Sequence, residues 1–160
     1  MIVYRPLKKQ DIKQIQKLAL ESWLFTYGKI YKEKTIRRNV ADYYSDKSFA
    51  DYFSKIKHNN QYFIVAADKN TILGYAHIGK KKKSWEILRI YVSPKRLGEG
   101  IGTNLIKNIE KFLKSKKAKN YAAYPHIKNK IAKNFYSKIG FQRKKSKDRG
   151  KSSICYEKNI

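Results

Sequence analysis

The densest chemical signal in the chain is Gly98-Glu99-Gly100-Ile101-Gly102-Thr103, placed between an apolar run and an amphipathic one. Three alternating glycines let a backbone approach a ligand without obstruction by Cβ. Where such a run opens a helix, unpaired N–H groups and the positive end of the helix dipole suit a diphosphate. Taken alone, the glycines fit a ligand-free strand-to-helix turn equally well. Two nucleotide-binding motifs are excluded. A Walker A loop ends in Gly-Lys-Ser/Thr, whereas Thr103 follows Gly102 with no lysine. A Rossmann loop needs G-x-G-x-x-G after the first strand, and the spacing here is G-x-G-x-G.

Other chemistry-bearing residues are sparse. Glu86 is the only acid in the run 84–93, flanked by Trp85 and Ile87. Strand alternation places it with Leu88, Ile90 and Val92, apolar company that raises a carboxyl pKa and suits a proton acceptor. His58, His77 and His126 are isolated in sequence, with no paired spacing for a metal, so no metal is expected. Cys155, the single cysteine, reads as a core residue of the last strand and excludes an internal disulfide.

The surrounding pattern supplies the scaffold. Residues 2–7 read as a strand, and a helix starts at Asp11, with Ile12, Ile15, Leu18, Ala19 and Trp23 at helical spacing. Helices over 33–44 and 48–57 follow. Strands are expected at 61–68, 71–79 and 84–93, with Lys80 to Lys83 as a basic hairpin tip. A helix from Ile101 carries an apolar stripe through Leu105, Ile106, Ile109, Phe112 and Leu113. "KNYAAYP" is a strand, 128–138 a helix stopped by Gly140, and "FQRKKSK" with "SSICYEK" a closing hairpin through Asp148, Arg149 and Gly150. The order predicts an α/β (mixed α+β) fold, one domain over 1–160 with a central sheet and helices on its faces.

The 160 residues carry 38 Lys+Arg against 12 Asp+Glu, a net charge of +26. Such a field draws polyanions and binds nucleic acid non-specifically, although lysine dominates where base readout relies on arginine. The 14% aromatic content argues against disorder. No window approaches the length of an apolar membrane span, and the N-terminus lacks the apolar core of a secretory signal. A cytoplasmic setting is expected.

Two stretches, "EILRIYVSPKRLGEGIGTNLI" and "NKIAKNFYSKIGF", resemble the GNAT superfamily of acetyl-CoA-dependent N-acetyltransferases. The resemblance is specific over 84–141, where the family's motifs read V-x-P-x-x-[Arg/Gln]-G-x-G-x-G/A and N-x-x-A-x-x-F-Y-x-x-x-G-F. Val92, Pro94, Gly98, Gly100 and Gly102 match the first; Leu97 departs from the Arg/Gln position, with Arg96 one residue early. Asn129, Ala132, Phe135, Tyr136, Gly140 and Phe141 match the second. The resemblance implies a GNAT-like fold with a mostly antiparallel sheet, and an enzyme that moves the acetyl group of acetyl-CoA directly onto a primary amine.

It also implies roles. Main-chain groups of Ile90, Tyr91 and Val92 would hold the thioester carbonyl and pantetheine arm. Residues Leu97, Gly98, Glu99, Gly100, Ile101, Gly102 and Thr103 would bind the pyrophosphate, with Lys130 or Lys133 near its charge. Asn129 and Ala132 would meet the pantetheine or pyrophosphate region. Tyr136 would return a proton to the leaving thiolate, and Glu86 would take one from the amine. At pH 7 reaching the free base of an ordinary primary ammonium costs about 4.6 kcal/mol.

The acceptor would lie against the helical segment 20–57, where "ESWLFTYGKIY" offers Glu21, Trp23, Phe25, Tyr27 and Tyr31 as an aromatic and acidic lining for a cation. "ESWLFTYGKIY", together with "EILRIYVSPKRLGEGIG", is similar to the branch that acetylates polyamines such as spermidine. Against a +26 field, a polycation requires a locally acidic pocket. A peptide α-amine, a small-molecule amine, or a nucleic-acid-binding role on the same scaffold are the alternatives; a homodimer stays open.

Overall fold

The computed structural model describes residues 1–58 and 60–160. The N-terminal strand β1 (Ile2–Pro6) is followed by three helices, α1 (Ile12–Tyr27), α2 (Glu33–Tyr43) and α3 (Asp46–Lys55). A meander of β2 (Gln61–Asp68), β3 (Thr71–Lys81) and β4 (Ser84–Val92) leads into α4 (Ile101–Ser115). The chain closes with β5 (Asn120–Ala123), α5 (Lys130–Lys138), β6 (Gln142–Arg143) and β7 (Tyr156–Asn159). The seven strands form one sheet in the order β1-β2-β3-β4-β5-β7-β6, antiparallel except at β4–β5.

Both faces are covered. Ile64, Ala76, Ile78, Trp85 and Ile87 meet the α4 stripe of Ile101, Leu105, Ile106, Ile109 and Leu113, with α5 contributing Tyr136. Phe63, Val65 and Tyr75 on the opposite face meet Ile15, Leu18 and Ala19 of α1, Ile36 of α2 and Phe49 of α3. The near-continuous apolar runs in β2, β3 and β4 follow from this double cover.

Asp11 fastens β1 to α1. Its carboxylate takes two bonds from Arg5 (2.7 and 2.9 Å) and one from the Lys8 N–H (2.8 Å). Burial pushes the Asp11 carboxyl up, but these donors outweigh it and hold it below the usual range. At the far end Gly140, at φ 94°, ends α5, and the Phe141 N–H closes the turn on the Tyr136 carbonyl.

Two features differ from the sequence expectation. The closing hairpin is short: β6 is two residues long, and 144–155 is an irregular excursion rather than a tight turn at 148–150. In β4, His77 pairs Arg89 while Ile78 pairs Ile87, so Leu88 is an extra, bulged residue. The bulge reverses the alternation beyond it. Ile87, Ile90 and Val92 share the α4 face, and Glu86 lies on the other, not with Ile90 and Val92 as strict alternation predicts.

Candidate active site

β4 and β5 pair only at Glu86–Ala122 and Ile87–Ala123 and then part. Past that point a cavity of about 240 Å³ opens. One wall is the end of β4, with Ile90, Tyr91 and Val92. Its floor is the loop and first turn of α4, with Leu97, Gly98, Gly100, Ile101, Gly102 and Thr103. Asn129, Ala132, Phe135 and Tyr136 of the α5 region face it, and α1 contributes Ser22, Phe25 and Thr26.

The glycine loop has the geometry of an anion cradle. Gly98 and Gly100 sit at φ 84° and 76°, which only glycine adopts freely. Gly100 caps α4 without any side-chain bond to its first turn. Among the described residues, none accepts a hydrogen bond from the main-chain N–H of Gly98 through Thr103. A Cβ on Gly102 would stand 3.1 Å from Phe135 Cε2, so this glycine allows α5 to close on α4. Free amides at a helix N-terminus, opened by two left-handed glycines, fit a pyrophosphate. Glu99 does not line the cavity; its carboxylate is bonded to Arg96 (2.6 Å) and so occupies the arginine nearest the departing Leu97 position.

Asn129 is the N-cap of α5: its Oδ1 accepts from the Ala132 N–H (3.0 Å), and its amide reaches Tyr27 Oη at 3.4 Å across the cleft. Tyr136 is 4% exposed, and burial, with Tyr27 beside it, raises its phenol well above the usual range. The hydroxyl therefore keeps its proton at neutral pH, as a donor must.

The proton acceptor expected at Glu86 is not brought to the cleft. Its carboxylate, 4% exposed, takes both Arg149 amino groups (3.0 and 2.6 Å) and the Ser84 hydroxyl (3.2 Å). Arg149 in turn lies 3.6 Å over the Tyr124 ring. The bulge at Leu88 turns Glu86 away from Ile90 and Val92, and the guanidinium consumes both its oxygens. Among the described residues, no Asp or Glu lines the cavity.

The acceptor candidates divide. Trp23 and Tyr27 of α1 and Tyr31 of the turn after it form a chain of tilted rings (5.1 and 6.1 Å), extended by Tyr91 and Tyr43 at Trp23 and by His126 at Tyr31. Tyr31 Oη meets His126 Nε2 at 2.9 Å, while His126 Nδ1 accepts from the Lys128 N–H. Glu21 is exposed. At 100° per residue it points about 160° away from Trp23, so it supplies no charge to this aromatic wall.

Phe25, expected with the acceptor aromatics, borders the cavity; sequence reasoning missed Ser22, Thr26, Ile131 and Lys138, which border it too. Ser22 was visible as the one hydroxyl in the buried stripe of Ile15, Leu18 and Ala19. Its Oγ is buried and, among the described residues, has no hydrogen-bond partner.

This sheet, splayed at β4 and opening on free amides beneath an α5 tyrosine, defines an acyl-CoA-dependent acyltransferase. The chain belongs to the acetyltransferase (GNAT) family, which its residues 16–141 match. It is similar to a spermidine N(1)-acetyltransferase of Thermoplasma acidophilum, 29% identical with 88% of each chain covered. It is also similar to an uncharacterized N-acetyltransferase of Methanocaldococcus jannaschii, 28% identical over 90% of this chain and 66% of the other. Among solved structures, the PaiA N-acetyltransferase of T. acidophilum in complex with coenzyme A superposes with a TM-score of 0.92, at 28% identity, covering 100% and 99% of the chains. The E. coli ribosomal-protein-S18-alanine N-acetyltransferase shares the fold at a TM-score of 0.67 and 14% identity over 100% and 94%. The protein is an acetyl-CoA-dependent N-acetyltransferase. Among the described residues no group of His, Cys, Asp or Glu is arranged to hold a metal, and no helix is long and apolar enough to cross a membrane.

Proposed function

We propose that this enzyme acetylates a primary amine of a spermidine-like polyamine, entering along the aromatic wall of Trp23, Tyr27 and Tyr31. None of the three rings lines the cavity itself; the observation that carries the reading is that the wall abuts it, Tyr27 Oη meeting Asn129 Nδ2 at 3.4 Å and the Trp23 ring lying 6.3 Å from that of Tyr91, two residues that share the cleft with the free amides of Gly98–Thr103 and Tyr136. Aromatic rings attract a cation, and the spermidine acetyltransferase of T. acidophilum is a relative across most of the chain.

Acetyl-CoA supplies the acetyl group as an activated thioester. The amides of Gly98–Thr103 bind its pyrophosphate, and the ends of Ile90, Tyr91 and Val92 orient the pantetheine arm and the carbonyl. Asn129 and Ala132 form the opposite wall of that channel, and Tyr136 holds a proton at Oη for the departing sulfur. With Glu86 committed to Arg149, the amine's proton leaves to water at the mouth. A cytoplasmic setting agrees with one buried, unpaired thiol at Cys155.

One observation favours a second reading. A polycation gains little from a cleft that no carboxylate lines among the described residues, and a peptide α-amine or small monoamine needs none. Thiol release from acetyl-CoA, measured with spermidine, a monoamine and a peptide amine, decides between them. The polyamine reading expects spermidine to have the highest kcat/KM by at least tenfold. Equal rates with all amines would remove that specificity, and no amine-dependent release would remove the enzyme reading of the site.

A further inference from the structure

The sheet has a second pole, and its chemistry differs from that of the cleft. β2 starts, β3 ends, and β4 and β5 start at one edge: Gln61 is level with Gly79, Lys81 with Ser84, and Glu86 with Ala122. The Lys80 N–H also bonds the Asn60 carbonyl (2.8 Å), which ties the entry of β2 to this hairpin. Three short segments are therefore brought side by side: Lys55 to His58, Lys80 to Lys83, and Lys114 to Lys119.

Every lysine in them is exposed except Lys116, which is half-buried with its ammonium 5.2 Å over the Phe112 ring. None of the three segments contains Asp or Glu. Glu110, one turn back on α4, is held by Lys158 Nζ (2.6 Å) and the Tyr121 hydroxyl (2.7 Å). On the other flank, Asp51 lies one turn back on α3. The only large apolar side chain exposed in these segments is Ile56, at 36%. The row crosses three strand spacings, about 14 Å, and stands about 26 Å along β4 from Val92 at the cleft.

We propose that this lysine pole is a sequence-independent docking face for the phosphate backbone of nucleic acid, physically separate from the acetyl-transfer cleft. A narrow row of ammonium groups matches a line of phosphates; about 14 Å of duplex axis carries about four per strand. An interfacial membrane site would carry an apolar face to insert, and one isoleucine does not make one. The scarcity of arginine fits backbone contact without base readout. The proposal is independent of the acceptor amine.

The chain supplies its own test. Lys82 and Lys117 sit at φ 54° and 55°, positions that favour glycine. The variant Lys82→Gly, Lys83→Ser, Lys117→Gly, Lys119→Ser removes four charges while relieving two strained backbones. Its control, Lys17→Ser, Lys32→Ser, Lys34→Ser, Lys47→Ser, removes four exposed charges from the helical side. Binding of a labelled 20-mer RNA and DNA duplex is followed by anisotropy between about 50 and 200 mM salt.

The pole variant is expected to flatten the log–log salt dependence by about three units and to weaken binding at 100 mM salt at least tenfold. Its melting temperature and acetyl-CoA affinity should stay at or above the wild-type values. The control should change the slope by less than one unit. Equal losses in both variants would reduce the effect to net charge and overturn a localised face, as would no loss in either. Tighter, pole-dependent binding to phosphatidylserine vesicles than to nucleic acid would overturn the choice of partner.

Discussion

Asn129 Nδ2 reaches Tyr27 Oη across the cleft, joining α5 to α1 over 102 residues of sequence. The same side chain caps α5 through Oδ1. One residue thus sets the helix that carries Tyr136 and contacts the helix that carries the aromatic wall. Asn129→Ala should cost about 1 kcal/mol of stability through the lost cap. Asn129→Ser keeps a cap and loses the amide, so its melting temperature should stay near wild type while kcat/KM falls. Equal stability losses in the two variants would show that the cap is not the stabilising part.

Tyr136→Phe removes the hydroxyl and leaves the ring, which packs on Phe135 and Phe141. A lost proton donor typically lowers turnover about 10²-fold. Steady-state kinetics should show that fall in kcat with acetyl-CoA affinity unchanged within about twofold. A normal kcat would assign the ring a packing role alone.

Glu86→Gln tests the brace between β4 and the 144–155 excursion. The Arg149 side chain is half-exposed, so its charge is solvated when the partner is lost. The expected cost is about 1–2 kcal/mol in denaturant unfolding, less than for a fully buried pair. Activity per folded molecule should stay within a few-fold. A fall of 10²-fold or more in a folded variant would restore Glu86 as the proton acceptor.

The pH–rate profile bears on the same point. Without an enzyme base, only the free amine reacts. The rate in kcat/KM should then rise about tenfold per pH unit from 7 toward the amine pKa near 10.4. A plateau beginning near pH 6 or 7 would require a titrating acceptor on the protein.

The low-pH limit of stability involves Asp11. Its folded carboxyl lies below the unfolded value of 3.8, so its contribution is present above that value and is lost as pH falls through the folded one. Asp11→Asn should therefore be less stable than wild type at pH 7. The gap should narrow as pH falls below 3.8 and vanish once pH has passed through the folded value, read from urea midpoints at each pH.

Much of this was legible in the residues because local chemistry fixed it. Gly98 and Gly100 announce left-handed turns at a helix start, and Gly140 announces the end of α5. The apolar runs of β2 to β4 announce a sheet covered on both sides. What was hidden depends on non-local pairing. The bulge at Leu88 comes from register against β3, and it alone decides which face Glu86 takes. Arg149, 63 residues away, then claims that carboxylate. Asn129 matched a motif, but its capping bond and its reach to Tyr27 exist only once α1 and α5 face each other. The shortness of β6 has the same cause: its two residues pair with β7, and no local signal marks where that pairing stops.

The central claim is that free main-chain amides bind the cofactor's pyrophosphate, and amide chemical shifts report this directly. Titrating isotopically labelled protein with acetyl-CoA should move the N–H resonances of Gly98, Gly100, Gly102 and Thr103 most, with saturation at one equivalent. Gly100→Ala, which places a Cβ at φ 76°, should weaken that binding about fivefold to tenfold. Saturable binding that leaves those four amides unmoved would contradict the account.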